Sequence, residues 1–509
     1  MHFIRRLCER HLEKVADLNV GNRLDLVYLL QKDIEEHFVK PTCFNRRHFP
    51  LGKPLKAQTM STWGEWLGLT SSSTPAATND SSAEGSKPGP DQVENLTDEQ
   101  TLEMVKEALD SGLTRKDSHE HHYTYEGEEV DEESLKKSMF MQFASMIGMD
   151  VMNMSFNLPI FLFEPTTTTT RMAETFQFVE LMNKAAAEKD PVMRHAYVAA
   201  FIISSYCHSI RLLMPFDSVP GETFALDLRD LKVRYLAEHI RDSPNPLTLG
   251  YGEGPGWSFT EDVQVQATFH GNSVAVSNKG HRKITFTDSG EVLSWTFPTS
   301  TAHNLFVGSS YIDHSGKLQI KSNQHAIEVD LDFVPCGWFE SGRYEVKGAI
   351  LDESRKSVLK LDGKWNSHMY ACKPGDEDHP IVLWEAGDHY LDGSAWKFTK
   401  FGDAFHIPLA ELQKHKNIPL SDARYRKDVQ YLWDQNKKMA AEARNQMESK
   451  RKQIKKNIKG DPLAMTESKF FHKCKDLSTS FTEWDYSGKY WEVMDDESNQ
   501  DPRKTQPLF

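Results

Sequence analysis

The strongest constraint on the fold is a long stretch of alternating apolar and polar residues between Thr223 and Phe401. Apolar residues recur there at every second position, for example at Val263, Val265, Ala267 and Phe269. Turn signals such as Gly271-Asn272 and Asp362-Gly363 follow at short intervals. This pattern predicts many short strands joined by tight turns, and therefore a large antiparallel sheet that curls or closes on itself. No long helical pattern separates the strands, so a doubly wound parallel sheet is not expected.

Helical patterns flank this stretch on both sides, so the predicted fold class is α+β. Asp190-Pro191 is a typical helix start, and the helix that follows is apolar nearly all round, which predicts that it is buried. After Arg424, a charged helix is predicted over 429–456, followed by a compact aromatic segment over 470–492.

The chain divides into four predicted regions. Residues 1–70 form an N-terminal helical region, 71–133 a mostly disordered linker with one short helix, 134–495 the main domain, and 496–509 a tail. Thr97 and Gln100 fit a capping box at the start of the short helix. The polar stretch 116–133 carries three histidines, which suit either a solvated loop or a metal site; a loop without metal is our prediction. The first helix, which is basic, packs on a core or lies on an acidic membrane.

Composition excludes several classes of protein. The 60 Lys and Arg residues against 74 Asp and Glu residues give a net charge of −14, which disfavours nucleic acid as a partner. The six cysteines form no Cys-x-x-Cys pair, and no apolar run is long enough for a membrane helix. We therefore expect a cytoplasmic protein with reduced thiols.

Sequence motifs for catalysis are missing. There is no Gly-x-Ser-x-Gly elbow, no phosphate-binding Gly-x4-Gly-Lys loop, no His-Glu-x-x-His and no dinucleotide-binding glycine motif. The prediction is a protein that is not an enzyme, with no catalytic residues and no cofactor.

Several motifs, in order along residues 134–492, resemble those of the oxysterol-binding protein-related family. The matching stretches are Leu158-Pro159 with Phe163-Glu164-Pro165, Gly221-Glu222-Thr223-Phe224, His303-Asn304, Gly363-Lys364-Trp365, Asp422-x-Arg424-x-Arg426-x-Asp428 and Tyr486-Ser487-Gly488. The N-terminal quarter of the chain is not covered by this resemblance.

This resemblance implies a near-complete antiparallel β-barrel around an apolar lipid tunnel, with an N-terminal lid and C-terminal helices. It also implies that the protein takes a sterol or phospholipid from one membrane and delivers it to another. Such a carrier touches membrane surfaces transiently, and we expect a monomer that is peripheral at membranes. An interior too wide for its own side chains to fill can hold a ligand.

The sequence departs from the family at the expected lipid head-group site. Met214 and Asp217 stand where the family has the Lys and Asn of Lys-Pro-x-Asn-Pro, and Asp242-Ser243 replace its His-His pair. An aspartate in contact with a phosphate opposes binding by about 1–4 kcal/mol. We therefore expect phosphatidylinositol 4-phosphate to bind poorly.

A third part of that head-group site is implied on the C-terminal helix. The family's Lys-x3-Glu-x3-Arg pattern reads here as Arg444, Glu448 and Lys452. Their spacing of four places them on one helix face, with Glu448 able to orient both cations. This pattern suits either a basic head-group clamp or an ordinary solvated helix.

Three functions remain open from the sequence. The first is a lipid carrier, the second is a lipid-sensing scaffold without net transfer, and the third is an enzyme. Only the first two agree with the missing catalytic motifs.

Overall fold

A computed structural model of the protein describes residues 97–110, 123–125, 128–130, 132–151, 158–242, 246–337, 341–391, 394–415, 418–457, 468–473 and 484–495. The predicted helical region 1–70, the three histidines between residues 119 and 122, Ser243 and the tail 496–509 lie outside the described residues.

The N-terminal elements are α1 (Asp98–Asp110), β1 (Tyr123–Tyr125), β2 (Glu128–Val130) and α2 (Glu132–Ala144). The backbone N–H of Thr97 donates to Gln100 Oε1 at 2.8 Å, and the N–H of Gln100 donates to Thr97 Oγ1 at 3.3 Å. The capping box predicted from the sequence is therefore confirmed. β1 and β2 form an antiparallel hairpin in the stretch predicted as a loop, because three residues per strand are too few to show a period of two.

Next come β3 (Phe163–Thr167), α3 (Thr168–Ala173), α4 (Glu180–Ala187), α5 (Pro191–Ser204) and β4 (Met214–Phe216). The Asp190 side chain caps α5 by accepting from the N–H of Val192 at 3.0 Å, and Pro191 lies in the first turn. The side chains of α5 are buried on nearly all sides, as predicted.

A 14-stranded antiparallel sheet follows. Its strands are β5 (Thr223–Leu228), β6 (Val233–Arg241), β7 (Leu247–Gly254), β8 (Trp257–Phe269), β9 (Val274–Asn278), β10 (Arg282–Phe286), β11 (Val292–Trp295), β12 (Thr299–His303), β13 (Tyr311–Ser322), β14 (Glu328–Phe333), β15 (Glu345–Leu351), β16 (Ser357–Lys364), β17 (His368–Cys372) and β18 (Ile381–Glu385). The main path runs from β5 to β18 with neighbours in nearly sequential order.

The sheet contains a ring because two long strands each pair with two partners along one side. The first half of β8 pairs with β10 and its second half with β9. β13 pairs with β12 at its start and with β11 at its end. The pairs β10–β11 and β9–β12 complete the ring. The predicted large antiparallel sheet that closes on itself, with helices around it, is therefore confirmed.

Helices α3, α4 and α5 pack on one face of this sheet. α3 contacts β5, β6 and β7, α4 contacts β8, and α5 contacts β15, β17 and β18. One apolar cluster joins these helices to side chains from nearly every strand, including Phe224, Tyr235, Phe259, Ile284 and Val346. We call this helix-covered side the inner face.

The C-terminal elements are α6 (Lys400–Asp403), α7 (Leu409–Leu412), α8 (Lys427–Trp433), α9 (Lys437–Asn457), β19 (Phe471–Lys473), β20 (Trp484–Tyr486) and α10 (Lys489–Asp495). The helix predicted over 429–456 is two helices, because Gln435 adopts a left-handed backbone conformation with φ of 57°. Phe471, Trp484 and Tyr490 pack on Leu236 and Ile240, on the opposite face of β6. Among the described residues, no helix combines the length and apolar character needed to cross a membrane.

A buried ion network ties β3 to the segment after α5. Arg211 donates to Glu164 at 2.9 Å and to Glu174 at 2.6 Å, and all three side chains are at most 1% exposed. The guanidinium also stacks on Phe398, 4.5 Å from the ring centroid. Glu164 also lies 3.6 Å from Arg171 Nε, whereas Arg211 is the cation that contacts both carboxylates at hydrogen-bond distance.

We predict that Arg211→Met lowers the free energy of unfolding by about 3–5 kcal/mol, because two buried carboxylates lose the cation that they share. The measurement is urea denaturation followed by circular dichroism. Arg229→Met is the matched control, since Arg229 pairs with Asp227 while 84% exposed, and it should leave stability nearly unchanged. Equal effects of the two substitutions would contradict the prediction.

Candidate lipid-binding site

Every second side chain of β8 points to the inner face, and together they form one continuous row. These residues are Trp257, Phe259, Glu261, Val263, Val265, Ala267 and Phe269. The first part of the row belongs to the cluster formed with α3 to α5, and Ala267 and Phe269 belong to a second cluster. Two separate apolar clusters therefore attach to one side of the same strand.

The second cluster joins the sheet to α1 and α2. Phe140 of α2 contacts Phe306 edge-on at 5.3 Å between ring centroids, and Phe143 packs against Phe269 at 5.4 Å. Val105 and Leu109 of α1 are buried in the same cluster. The two helices thus cover the end of the inner face that α3 to α5 leave open.

Between the two clusters, inward side chains are only half-buried. They are mostly small and apolar: Val265, Val276, Ser300, Ala302 and Ile312. Val276 lies opposite Ser300, and Ala302 lies opposite Ile312, in the register of β9, β12 and β13. We name these five residues the apolar wall. An incompletely buried and mostly apolar inner surface of this kind is typical of the lining of a ligand site.

One charged pair interrupts the inner face beside the apolar wall. Arg282 donates to Glu261 at 2.8 Å, and the Tyr235 hydroxyl donates to the other oxygen of Glu261 at 2.7 Å. Both members of the pair are buried, and Arg282 stacks on Phe297 at 4.5 Å. Because its charges are paired, the group places no net charge on the inner face.

The predicted head-group residues lie apart in sequence, and the structure brings three of them, Asp217, Asp242 and Glu448, together around one cation. Met214, on β4, is 37% exposed, and the side chain of Asp217 just after that strand is 59% exposed. Asp242, just after β6, is buried. Ser243 lies outside the described residues.

Asp242 is held by two partners. His239 Nε2 lies 2.9 Å from Asp242 Oδ1, and Arg451 Nε donates to Oδ2 at 3.1 Å. Burial disfavours the charged carboxylate, but the His239 hydrogen bond and the charge of Arg451 outweigh that effect and lower the pKa of Asp242. Asp242 therefore remains an anion at neutral pH.

The three predicted residues of α9 have different environments. Arg444 donates to the carbonyl oxygen of Leu158 at 2.5 Å and stacks over Phe163 at 4.0 Å. Burial is the main cause that lowers the pKa of Arg444. Lys452 is exposed. Glu448 forms its ion pair with Arg451, at 2.8 Å, rather than with either predicted cation.

Arg451 is the site residue that sequence reasoning missed. It reaches carboxylates from three segments: Asp217 at 3.3 Å, Asp242 at 3.1 Å and Glu448 at 2.8 Å. Its side chain is 14% exposed. The family spacing drew attention to Lys452, whereas Glu448 and Arg451 are three residues apart, which is also a helical pairing distance.

Behind this charged group lies a buried polar framework. Arg426 donates to the backbone oxygen of Asp217 at 2.6 Å, to Glu222 at 3.1 Å and to Asp428 at 2.6 Å. Glu222 in turn accepts from Ser218 at 2.7 Å and from Thr169 at 2.8 Å. The framework fixes the backbone that carries Asp217.

The described residues contain no group of three or more His, Cys, Asp and Glu side chains arranged to hold a metal ion.

Comparison with known proteins places these features in a family. The oxysterol-binding protein family model matches residues 138–495. Oxysterol-binding protein homolog 2 of Saccharomyces cerevisiae is 27% identical over 382 residues, which are 70% of this chain and 29% of that protein. Oxysterol-binding protein-related protein 3B of Arabidopsis thaliana is 29% identical over 376 residues, covering 71% of this chain and 80% of the relative. The chain thus spans less than a third of the first relative and most of the second.

Solved structures agree on the fold. The Osh1 ORD domain, crystallised in complex with cholesterol, has a TM-score of 0.64 at 23% identity and covers 80% of this chain and 99% of that one. The Osh3 ORD of Saccharomyces cerevisiae, in complex with PI(4)P, has a TM-score of 0.59 at 25% identity and covers 70% of this chain and 91% of that one. With the family model matching most of the chain, the curled sheet and its inner helices identify this protein as a member of the oxysterol-binding protein family.

Proposed function

We propose that this protein binds a membrane lipid against the apolar wall and carries it between membranes. The observation that carries the proposal is the half-buried, inward apolar surface between two fully packed clusters. Burying a lipid there stabilises the complex by about 0.8 kcal/mol per CH₂ group, without any covalent step. The cholesterol and PI(4)P complexes of the two solved relatives support a lipid cargo.

The residues around Arg451 form the proposed head-group site. It comprises Met214, Asp217 and Asp242, with Arg444, Glu448 and Lys452 from α9, and we include Ser243 from the sequence motif alone. Arg451 is already paired with three carboxylates, so its charge is not available to a phosphate. This supports weak binding of phosphatidylinositol 4-phosphate, in contrast to the PI(4)P-bound relative.

The proposed carrier works from solution, as a monomer that touches membranes transiently. Leu212 and Met214 are exposed apolar side chains near the proposed head-group site, 42% and 37% exposed respectively. Shallow insertion of such side chains is a common mode of peripheral membrane contact. Extraction and delivery require no bond to be made or broken, so the proposal includes no catalytic residue and no cofactor. Membership of a lipid-binding family favours this carrier over a lipid-sensing scaffold.

A transfer assay between donor and acceptor liposomes tests the carrier function. We expect Ala302→Trp to slow transfer of a fluorescent sterol or phospholipid at least about tenfold, because the indole fills space at the apolar wall. Thr301→Trp is the control, since adjacent strand residues point to opposite faces. Binding without any acceleration of lipid equilibration would indicate a sensor and contradict the proposal.

The head-group site has its own test. We expect the triple variant Met214→Lys, Asp242→His, Ser243→His to bind phosphatidylinositol 4-phosphate liposomes about tenfold more tightly than the unmodified chain, because a carboxylate is removed and cations are added. Asp227→Asn, which removes an acidic group paired with Arg229 elsewhere, controls for the loss of one carboxylate charge. Tight inositide binding by the unmodified chain would contradict the proposal that it binds phosphatidylinositol 4-phosphate weakly.

A further inference from the structure

The apolar wall contains one polar side chain, that of Ser300. Its register partners are Val276 on β9 and His314 on β13. Ser300 Oγ lies 2.8 Å from His314 Nδ1, and the described residues offer it no second side-chain partner. An isolated polar group in an apolar surface is the usual means by which a site fixes the polar end of its ligand.

The hydrogen-bond roles around His314 follow from Ser209 on the far side of the ring. Ser209 Oγ lies 2.5 Å from the carbonyl oxygen of Tyr206 and 2.6 Å from His314 Nε2. Two oxygens at 2.5 Å require a proton between them, so the single hydroxyl proton of Ser209 goes to the carbonyl. Nε2 of His314 must then carry the proton that it donates to Ser209.

This assignment fixes the direction of the next hydrogen bond. With Nε2 protonated in a neutral imidazole, Nδ1 is an acceptor, and Ser300 donates its hydroxyl proton to it. Burial is the main cause that lowers the pKa of His314 to about 3, so the ring is neutral at physiological pH. The rings of Tyr206 and Trp365, each 4.6 Å away between centroids, hold His314 in place.

As a consequence, Ser300 presents only oxygen lone pairs to a ligand that lies against the apolar wall. Its one proton is committed to His314, so Ser300 can accept a hydrogen bond from a ligand but cannot donate one. A ligand hydroxyl is both donor and acceptor, whereas a ketone or ester oxygen only accepts. The geometry therefore distinguishes an alcohol from a carbonyl compound.

We infer that Ser300 is a specificity-determining residue that selects a lipid with a free hydroxyl, such as a sterol, through a hydrogen bond donated by that hydroxyl to Ser300 Oγ. This inference rests on the proposed carrier function and specifies its cargo. His314 and Ser209 are positioning residues that act through Ser300. A site built for a hydroxyl discriminates well against an analogue that lacks the donor, because its acceptor is then left unpaired.

The test measures binding of two probes to the full chain: cholesterol, and the same sterol with its hydroxyl oxidised to a ketone. We expect the unmodified protein to bind cholesterol about fivefold to tenfold more tightly than the ketone, the factor typical of one hydrogen bond. Ser300→Ala should remove this preference by weakening cholesterol binding alone. Ser300→Thr keeps a hydroxyl and should retain the preference.

Thr301→Ala, on the opposite face of β12, is the control and should leave both affinities unchanged. Circular dichroism of each variant confirms that it folds. If Ser300→Ala weakens both probes equally, or neither, the inference is wrong. Binding of phosphatidylserine but of neither sterol also overturns it, while the carrier function stands. Binding of no lipid at all contradicts both proposals.

Discussion

The fold depends on one constraint: a strand of thirteen residues must bury an unbroken row of inward side chains. β8 does this by pairing along one edge with two different strands, with β10 over its first half and with β9 over its second half. The inner face that results is longer than α3 to α5 can cover, and α1 and α2 cover its far end. The half-buried apolar wall is what remains between these two sets of helices. Cargo binding, in our proposal, completes the burial that the chain leaves unfinished.

Buried ion networks make this arrangement rigid where the chain is irregular. Arg211 joins Glu164 and Glu174, and Arg426 joins Glu222 and Asp428. Glu164, Glu222, Arg426 and Asp428 belong to the motifs that carried the family resemblance, and their observed role is to hold segments of the chain together. A buried charge without its partner is costly, so such networks tolerate little substitution. The Arg426 network also holds the backbone of Asp217, one of the acidic residues around Arg451.

The structural features that could be predicted from the sequence are those set by hydrophobic periodicity and by local helix capping. The alternation around Val263 and Phe269 predicted the curled sheet, and Thr97 with Gln100 predicted the start of α1. The sequence could not predict which cation of α9 pairs with Asp217 and Asp242, because Arg451 and Lys452 are adjacent and only the rotation of the helix decides between them. The roles of Ser300 and His314 were equally inaccessible, since they arise from the pairing of β12 with β13 and from a contact to Ser209 about a hundred residues away in sequence. Long-range register of this kind leaves no local signature.

The two end strands of the sheet path, β5 and β18, are joined through helices rather than by a hydrogen-bonded ladder, α3 lying on β5 and α5 on β18. A continuous ladder would fix the circumference by its number of strands and their stagger. Here one seam consists of side-chain packing, which adjusts by small sliding movements of helices without breaking backbone hydrogen bonds. Backbone hydrogen bonds therefore do not fix the girth of the interior at that seam, where the packing of α3 and α5 sets the spacing of the end strands.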